Sequence, residues 1–210
     1  MKRKESIVIA GYRSWAKDIY DKARIEYPQY SWYLAKNPDE LLDFYDIKNC
    51  KMVILAGWSW ILPKDMVNKK LVVGFHPSDL PNYAGGSPIQ NQVLDNITET
   101  KMSLFRLDEK IDHGEIFCKE FLDLSGGVDD IFSNMTQSCL SILGKLMEDY
   151  PDIKFTSQGR LGKRCRRLSP EDSKVNLENP PLTALGWYNF IRCRENPYPN
   201  AYLEDETGIT

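Results

Sequence analysis

The sequence has few of the residues that metal sites and disulfide frameworks require. Its 210 residues include two histidines, His76 and His113, and five cysteines with no C-x-x-C pair. An odd number of scattered cysteines argues against a disulfide framework and against a structural zinc site. We therefore expect the cysteines to be reduced. Two histidines cannot build a multi-histidine centre, so we also expect no metal.

Long apolar runs and an excess of charge are also missing. The longest mostly apolar stretch, 52–63, is shorter than the roughly 18 residues of a membrane span, and the first 12 residues lack the apolar stretch of a signal peptide. The 27 Lys and Arg against 30 Asp and Glu give a net charge of -3, without the broad basic footprint of a nucleic-acid-binding protein. We therefore expect a cytoplasmic protein that binds neither membrane nor nucleic acid.

The chain up to residue 75 alternates strand and helix patterns. Predicted strands and helices follow one another at 6–10, 14–26, 31–35, 39–44, 51–56, 63–68 and 71–75. This rhythm is typical of parallel α/β units, in which each helix crosses over the sheet. The predicted fold class is therefore α/β, with a Rossmann-like, mostly parallel twisted sheet and flanking helices.

The pattern changes after residue 80. A helix is predicted at 87–94, two further strands at 100–107 and 115–124, a long amphipathic helix at 128–147 and a last helix at 182–194. Helical and strand periodicity is lost from residue 151 onward. We expect a main domain of residues 1–150 and a C-terminal extension of residues 151–210 that packs on it or lies at a dimer interface.

The first strand is not followed by a dinucleotide-binding G-x-G-x-x-G motif, since Gly11 stands alone in GYRSW. Ligands of open α/β sheets nevertheless bind outside the carboxyl ends of the strands. This rule brings the loops 11–15, 57–62 and 76–81 around one site that contains His76.

Three segments in this region carry a family resemblance. Residues 74–90 (GFHPSDLPNYAGGSPIQ) resemble the H-x-S-L-L-P-x-x-x-G-x-x-P-I signature of the 10-formyltetrahydrofolate-dependent formyltransferases, with Asp79 in place of the first leucine. Residues 107–116 (LDEKIDHGEI) are similar to the Asp-x-Gly signature of that family, and residues 57–63 (GWSWILP) to its G-Y-x-x-I-L-P pterin loop.

The resemblance implies a catalytic domain that uses 10-formyltetrahydrofolate as formyl donor and needs no metal. His76 would act as base and proton shuttle, and Asp112 would orient it. Folate contacts would come from Gly57, Trp58, Ser59, Trp60, Ile61, Leu62, Lys110 and Ile111. From the residues alone, His76 can also be a strand-end polar residue, Asp112 a turn residue, and the two tryptophans core aromatics.

The C-terminal part resembles the sugar-nucleotide branch of this family. Residues 168–173 (LSPEDS), 191–192 and 197–202 are similar to segments of bacterial sugar-nucleotide N-formyltransferases, one option being the pseudaminic-acid pathway type. The chain ends before the C-terminal barrel of methionyl-tRNA formyltransferases. The resemblance implies transfer to a nucleotide-linked amino sugar for bacterial surface glycans; glycinamide ribonucleotide is the alternative acceptor. We expect a homodimer whose contact includes the tail after Leu182.

The acceptor site would lie beside the first loop. Arg13 can pair with a phosphate and Trp15 can stack on a base, although Trp15 can equally pack beneath its helix. The basic run 163–167 can hold a diphosphate or form a solvated loop. The predicted substrate contacts are Arg13, Ser14, Trp15, Ser78, Asn82, Tyr83 and Gly85.

One position departs from the family pattern. Members carry an asparagine two residues before the histidine, and here that position is Gly74. Loss of one oxyanion donor costs on the order of 100- to 1000-fold in turnover. Either another group, such as protonated His76, a backbone N–H, Asn82 or Gln90, replaces the amide, or the chain is a catalytically weak folate- or nucleotide-sugar-binding homologue.

Overall fold

The computed structural model describes residues 4–47, 49–159, 162–206 and 208–209. Its main strands are β1 (Ser6–Ala10), β2 (Ser31–Ala35), β3 (Cys50–Leu55), β4 (Leu71–His76), β6 (Glu99–Arg106) and β7 (Ile116–Asp123), with short strands β5 (Ala84–Gly85), β8 (Arg164–Cys165), β9 (Glu204–Asp205) and β10 (Gly208–Ile209). Its helices are α1 (Ser14–Glu26), α2 (Pro38–Tyr45), α3 (Lys64–Lys69), α4 (Pro88–Leu94), α5 (Val128–Asp149) and α6 (Ala184–Arg192), with a 3₁₀ turn at Pro170–Ser173.

The main sheet has the strand order β2-β1-β3-β4-β6-β7. The strands β1 to β4 are parallel, and β6 and β7 continue the sheet antiparallel. This arrangement confirms the predicted Rossmann-like α/β fold and the extension of the sheet by the two later strands. The carboxyl ends of β1, β3 and β4 consequently lie along one edge.

Both faces of the central strands are buried, which explains their unbroken apolar sequences. In β1, Ile7 and Ile9 belong to the core on the side of α1 and α5, whereas Val8 and Ala10 belong to the core on the side of α2 and α3. Alternate side chains of a strand point to opposite faces. The helices therefore cover the sheet on both sides, as the fold class requires.

The predicted helix ends are close to the observed ones, and capping explains the differences. The Asn37 side chain accepts a hydrogen bond from Glu40 N at 2.9 Å, so α2 starts at Pro38. The Thr183 hydroxyl accepts from Gly186 N at 3.0 Å, so α6 starts two residues later than predicted. Each cap satisfies a backbone donor that has no partner within the helix.

The segment after α5 packs on the rest of the chain. Thr156 and Ile116 exchange two backbone hydrogen bonds of 2.8 Å, and β8 pairs in parallel with β5. The buried guanidinium of Arg192 donates to the carbonyls of Leu124 and Gly126 at 2.6 and 2.8 Å. These contacts place described parts of 151–210 against the main sheet and its loops, and the division into two domains stays a prediction.

The described residues contain no helix that is long and apolar enough to cross a bilayer. They also contain no group of three or more His, Cys, Asp or Glu side chains placed to hold a metal ion. All five cysteines are free thiols.

Candidate active site

His76 is the last residue of β4, at the carboxyl edge of the sheet, and its side chain is 8% exposed. Its Nε2 lies 2.9 Å from the backbone oxygen of Tyr83. A carbonyl oxygen only accepts hydrogen bonds, so Nε2 carries a hydrogen in this arrangement. The other ring nitrogen, Nδ1, is left for the site.

Asp112 lies beside that second nitrogen. Its Oδ2 is 3.6 Å from His76 Nδ1 and accepts a hydrogen bond of 2.8 Å from the backbone N–H of Gly85. Its backbone has φ = 54°, in the left-handed region that Asp adopts more readily than most residues. The two residues that the sequence assigns to catalysis are thus brought together, although their catalytic roles stay a prediction.

This arrangement leaves one ring nitrogen for proton transfer. With Nε2–H donating to Tyr83 O, the unprotonated Nδ1 can accept a proton, and a proton bound there lies beside the Asp112 carboxylate. The pair can therefore hold a proton at Nδ1 and release it to a neighbouring nitrogen, which is the task of a general acid and base.

Ser78 supports the loop after His76 instead of facing a ligand. It is fully buried, its hydroxyl donates to Asn82 O at 2.6 Å, and its carbonyl accepts from the Ser103 hydroxyl at 2.6 Å. The predicted substrate contact of Ser78 is therefore wrong, because no part of the residue is accessible.

The space beside Gly74 is apolar. A Cβ at this position would lie 2.9 Å from Leu107 Cδ1 and 3.4 Å from Phe105 Cε1. An asparagine at this position would require the end of the Leu107 side chain to shift. Leu107, whose side chain lies beside Gly74, is also the first residue after β6 in the loop that leads to Asp112.

The loop after β3 presents the residues that the sequence assigns to folate. Ile61 and Trp60 are 87% and 43% exposed, and Gly57, Ser59 and Leu62 are half-buried or exposed. Trp60 packs edge-to-face on Trp58 and on Tyr12, with ring centroids 4.8 and 5.2 Å apart. On the neighbouring loop, Lys110 and Ile111 are also exposed. These residues are accessible to a ligand at the edge of the sheet.

Trp58 holds a buried donor for which the described residues provide no acceptor, the indole Nε1. An unpaired buried donor costs about 1–3 kcal/mol, so such atoms are uncommon. A heteroaromatic ligand with carbonyl and ring-nitrogen acceptors would satisfy it. Together with the exposed apolar residues of the loop, the orphaned indole fits a pterin-type ligand.

The first loop provides a cation but no stacking residue. The Arg13 guanidinium lies over the rings of Tyr12 and Tyr198, at 5.0 and 5.7 Å, and has no carboxylate partner among the described residues. Ser14 is exposed at the start of α1. Trp15 is 4% exposed and packs in the core, which contradicts base stacking and agrees with the alternative that it packs beneath its helix.

The remaining predicted substrate contacts bind other parts of the protein. Asn82 Oδ1 accepts from Lys163 N at 3.3 Å, next to β8, and the Tyr83 hydroxyl donates to Asp95, at the end of α4, at 2.7 Å. Gly85 has φ = 117°, and a Cβ there would overlap the carbonyl of Cys165. Gly85 is therefore needed for the close approach of the two backbones, and its N–H serves Asp112.

The basic run is divided between paired and unpaired side chains. Lys163 forms an ion pair with Asp95, and Arg166 with Asp172. Arg164 and Arg167 are exposed and have no carboxylate partner in the part of the chain that the structure describes. These two side chains are the ones of the run that remain available to a phosphate.

Three supporting residues were not found from the sequence. Gln158 binds the turn of Asp112, the Cys165 thiol donates to Tyr83 O at 3.3 Å, and Tyr12 joins the first loop to Ser59 through a 2.7 Å hydrogen bond between hydroxyls. Burial, followed by the charge of Asp112, raises the pKa of Cys165. None of the three lies in a family motif, so only the folded chain reveals them.

The chain is similar to known proteins over most of its length. The family model described as formyl transferase matches residues 7–140. The chain belongs to this family. The methionyl-tRNA formyltransferase of Rickettsia africae is 24% identical over 184 residues, which cover 84% of this chain and 58% of the relative. This chain therefore spans little more than half the length of such curated relatives.

Solved structures of formyltransferases and of HypX share the fold of this chain. A methionyl-tRNA formyltransferase from Clostridium thermocellum superposes with a TM-score of 0.88 and 29% identity, covering 96% of this chain and 88% of its own. A sugar N-formyltransferase from Shewanella has a TM-score of 0.76, 14% identity and coverages of 98% and 95%. HypX from Aquifex aeolicus in complex with tetrahydrofolic acid has a TM-score of 0.79, 16% identity and coverages of 94% and 35%.

Proposed function

We propose that this chain transfers the formyl group of 10-formyltetrahydrofolate to the amino group of a nucleotide-linked amino sugar. The observation that carries the transfer reaction is the pair of His76 Nδ1 and Asp112 Oδ2, 3.6 Å apart at the carboxyl edge of the sheet of a formyl transferase family member. Folate as donor is supported by the fit of the loop after β3 and by the tetrahydrofolate complex of HypX.

The chain's own groups would move one proton and orient two substrates. The folate donor supplies an activated formyl group when it is bound. His76 receives a proton from the attacking amine at Nδ1 and releases it toward the departing nitrogen, while Asp112 stabilises the charged ring. The Tyr83 carbonyl holds the ring in place through Nε2.

With no amide at position 74, the His76 ring that has taken the amine proton is the group we assign to the developing negative oxygen. A protonated Nδ1 can donate to the developing negative oxygen as well as to the leaving nitrogen. The alternative of a catalytically weak homologue is favoured by the apolar filling beside Gly74. The presence of both His76 and Asp112 in contact favours the active enzyme.

A nucleotide-linked acceptor is supported by the cations near the site. Arg13 and Ser14 stand at the start of the 13-residue helix α1, where backbone N–H groups attract phosphate. Arg164 and Arg167 are exposed without carboxylate partners among the described residues. A sugar acceptor also agrees with the LSPEDS segment, whose Asp172 holds Arg166.

Methionyl-tRNA is a second acceptor to consider. The relative from Rickettsia africae and the 29% identical structure from Clostridium thermocellum both carry that name. Glycinamide ribonucleotide remains the alternative small acceptor of the family. A cytoplasmic location and a homodimer complete the proposal; the exposed Leu182, Leu185, Tyr188 and Ile191 of the tail and α6 are the apolar side chains for such a contact.

A mass-spectrometric acceptor screen tests the proposal. Purified protein is incubated with 10-formyltetrahydrofolate and, separately, UDP-, dTDP- and CMP-linked amino sugars, glycinamide ribonucleotide and methionyl-tRNA. We expect one sugar nucleotide to gain the mass of one carbonyl group, above the uncatalysed control. Gain on methionyl-tRNA alone would replace the sugar acceptor, and no gain with folate still bound would favour the weak homologue.

A further inference from the structure

We propose that Gln158 is a positioning residue that holds Asp112 against His76. This inference rests on the proposed function, because Asp112 matters only if the pair moves a proton. The side-chain amide of Gln158 donates to the backbone oxygen of Asp112 at 3.1 Å and to that of Gly114 at 2.6 Å. Its two amide hydrogens thus secure both ends of the turn Asp112-His113-Gly114.

The other attachments of this turn and its loop are made by side chains: the Asp112 carboxylate accepts from Gly85 N–H, and Glu109 pairs with Lys64. Asp108, Glu109, Lys110 and His113 are exposed, and Ile111 is 59% exposed, so the loop buries little apolar surface. Asp112 also holds a left-handed conformation, φ = 54°, which costs about 1–2 kcal/mol for an ordinary residue. In a loop with little packing, hydrogen bonds from Gln158 to the turn backbone add to the Gly85 contact in holding one geometry.

Gln158 is itself fixed close to the turn. Two residues earlier, Thr156 exchanges two backbone hydrogen bonds of 2.8 Å with Ile116, the first residue of β7. Ile116 follows the Asp112 loop in sequence. The bridge therefore fixes the backbone near Gln158 at a short distance from that loop. The residue is half-buried, which limits competition from water.

The chemistry of glutamine suits the task. The turn presents two carbonyl oxygens, which accept hydrogen bonds, and a primary amide is a neutral group with two donors. An ionised glutamate has the same shape but no donors, and it would repel both carbonyls and the nearby carboxylate of Asp112. A methionine has a similar length and makes neither hydrogen bond.

These differences give a kinetic test on the full chain, with the acceptor identified by the screen. We expect Gln158→Met and Gln158→Glu to lower kcat about 10- to 100-fold at pH 8, the effect of displacing a catalytic group by about 1 Å. KM for donor and acceptor should change less than about twofold. Lys154→Gln, at an exposed position of the same segment, is the control and should leave both constants unchanged.

The pH dependence separates positioning from a general loss of stability. The two carbonyls and the Asp112 carboxylate disfavour the ionised form of the introduced glutamate and should raise its pKa, so a growing fraction takes up a proton and regains one donor as pH falls from 8 toward 5. The ratio of Gln158→Glu to wild-type kcat should therefore rise, whereas the ratio for Gln158→Met should stay level. Thermal unfolding of each variant at both pH values confirms that the assay temperature lies below the transition.

A measurement without turnover keeps this inference distinct from the proposed function. The chain has only two histidines, so ¹⁵N shifts of the His76 ring nitrogens can be assigned by comparison with His113→Asn. Gln158→Met should change the His76 Nδ1 shift, and Lys154→Gln should not. If no acceptor is formylated, the proposed function fails and the shift still tests the contact; unchanged shift and kcat in Gln158→Met would overturn the role of Gln158.

Discussion

His76 presents one ring nitrogen to a backbone carbonyl and the other to the carboxylate of Asp112. Nε2 of His76 donates to a backbone carbonyl, and Nδ1 lies 3.6 Å from Asp112 Oδ2. The carboxylate is itself fixed by the N–H of Gly85. The positions of both partners therefore depend on the backbone between Tyr83 and Gly85, the segment that β8 pairs with.

The first prediction concerns this pair. His76→Asn and Asp112→Asn should each lower turnover by about 100- to 10,000-fold, the usual contribution of a general acid and base. The double variant should lose little more, because the two groups act as a unit. Asparagine tolerates the left-handed backbone of position 112, so that variant should fold.

His113→Asn is the matched control for both variants. His113 is 43% exposed and lies 3.4 Å from Asp108, one residue from Asp112 in sequence but outside the contact with His76. The turnover of the His113→Asn variant should equal that of the wild type. Full turnover in His76→Asn would contradict the catalytic assignment.

The second prediction concerns the apolar filling beside Gly74. Gly74→Asn should lower the free energy of unfolding by about 1–3 kcal/mol, because its Cβ alone would lie 2.9 Å from Leu107 Cδ1. Adding Leu107→Ala should remove the collision and restore part of this loss beyond additivity. Urea unfolding of the two single variants and the double variant measures the coupling; purely additive effects would show that the two side chains do not compete for space.

The sequence predicted the parts of this protein that depend on local pattern. The strands β1 and β3 are unbroken apolar runs between helices with helical periodicity, so the fold class followed directly. The pairing of His76 with Asp112 followed from family motifs, and the structure brings the two together. These features are encoded over a few neighbouring residues or a fixed spacing.

Features that depend on long-range packing were not predicted. Ser78 stands in the motif that resembles the family signature, yet its hydroxyl is used inside the loop. Nothing local marks Trp15 as core instead of ligand contact, because an amphipathic helix offers both positions. Gln158 lies 46 residues after Asp112 in a stretch without periodicity, so no pattern connects them.

The third prediction uses the orphaned indole of Trp58. Trp58→Phe removes the unpaired buried donor, so the unliganded protein should lose little stability. If bound folate supplies the acceptor, tetrahydrofolate affinity should fall about 3- to 10-fold, the worth of one neutral hydrogen bond. Isothermal titration with tetrahydrofolate and thermal unfolding measure the two effects.

Trp32→Phe is the control, for which we expect a loss of stability and no change in folate affinity. Its Nε1 donates to Tyr27 O at 3.0 Å, so losing it should lower stability by about 1 kcal/mol and leave folate affinity unchanged. Equal affinity for tetrahydrofolate in Trp58→Phe and wild type would show that the ligand does not use this indole.

The last prediction concerns the acid stability of the segment beside the site. Hydrogen bonds from Arg166, and then from the backbone of Ser169, hold the pKa of Asp172 well below its usual range. A carboxylate with a lowered folded-state pKa stabilises the fold above its unfolded-state pKa, and this contribution is lost as pH falls toward the folded-state value. Arg166 directly follows β8, so this ion pair lies next to the pairing of β8 with Ala84–Gly85.

Asp172→Asn should therefore unfold at a lower urea concentration than the wild type between pH 6 and 8, with a constant difference. The difference should shrink as pH falls below about 4, the ordinary value for aspartate, since the wild type then loses the same charge. Glu178→Gln, at an exposed position of the same segment, should show no such pH-dependent difference. A gap between Asp172→Asn and wild type that persists unchanged to pH 2 would mean that the side chain acts through shape or neutral hydrogen bonds and not through its charge.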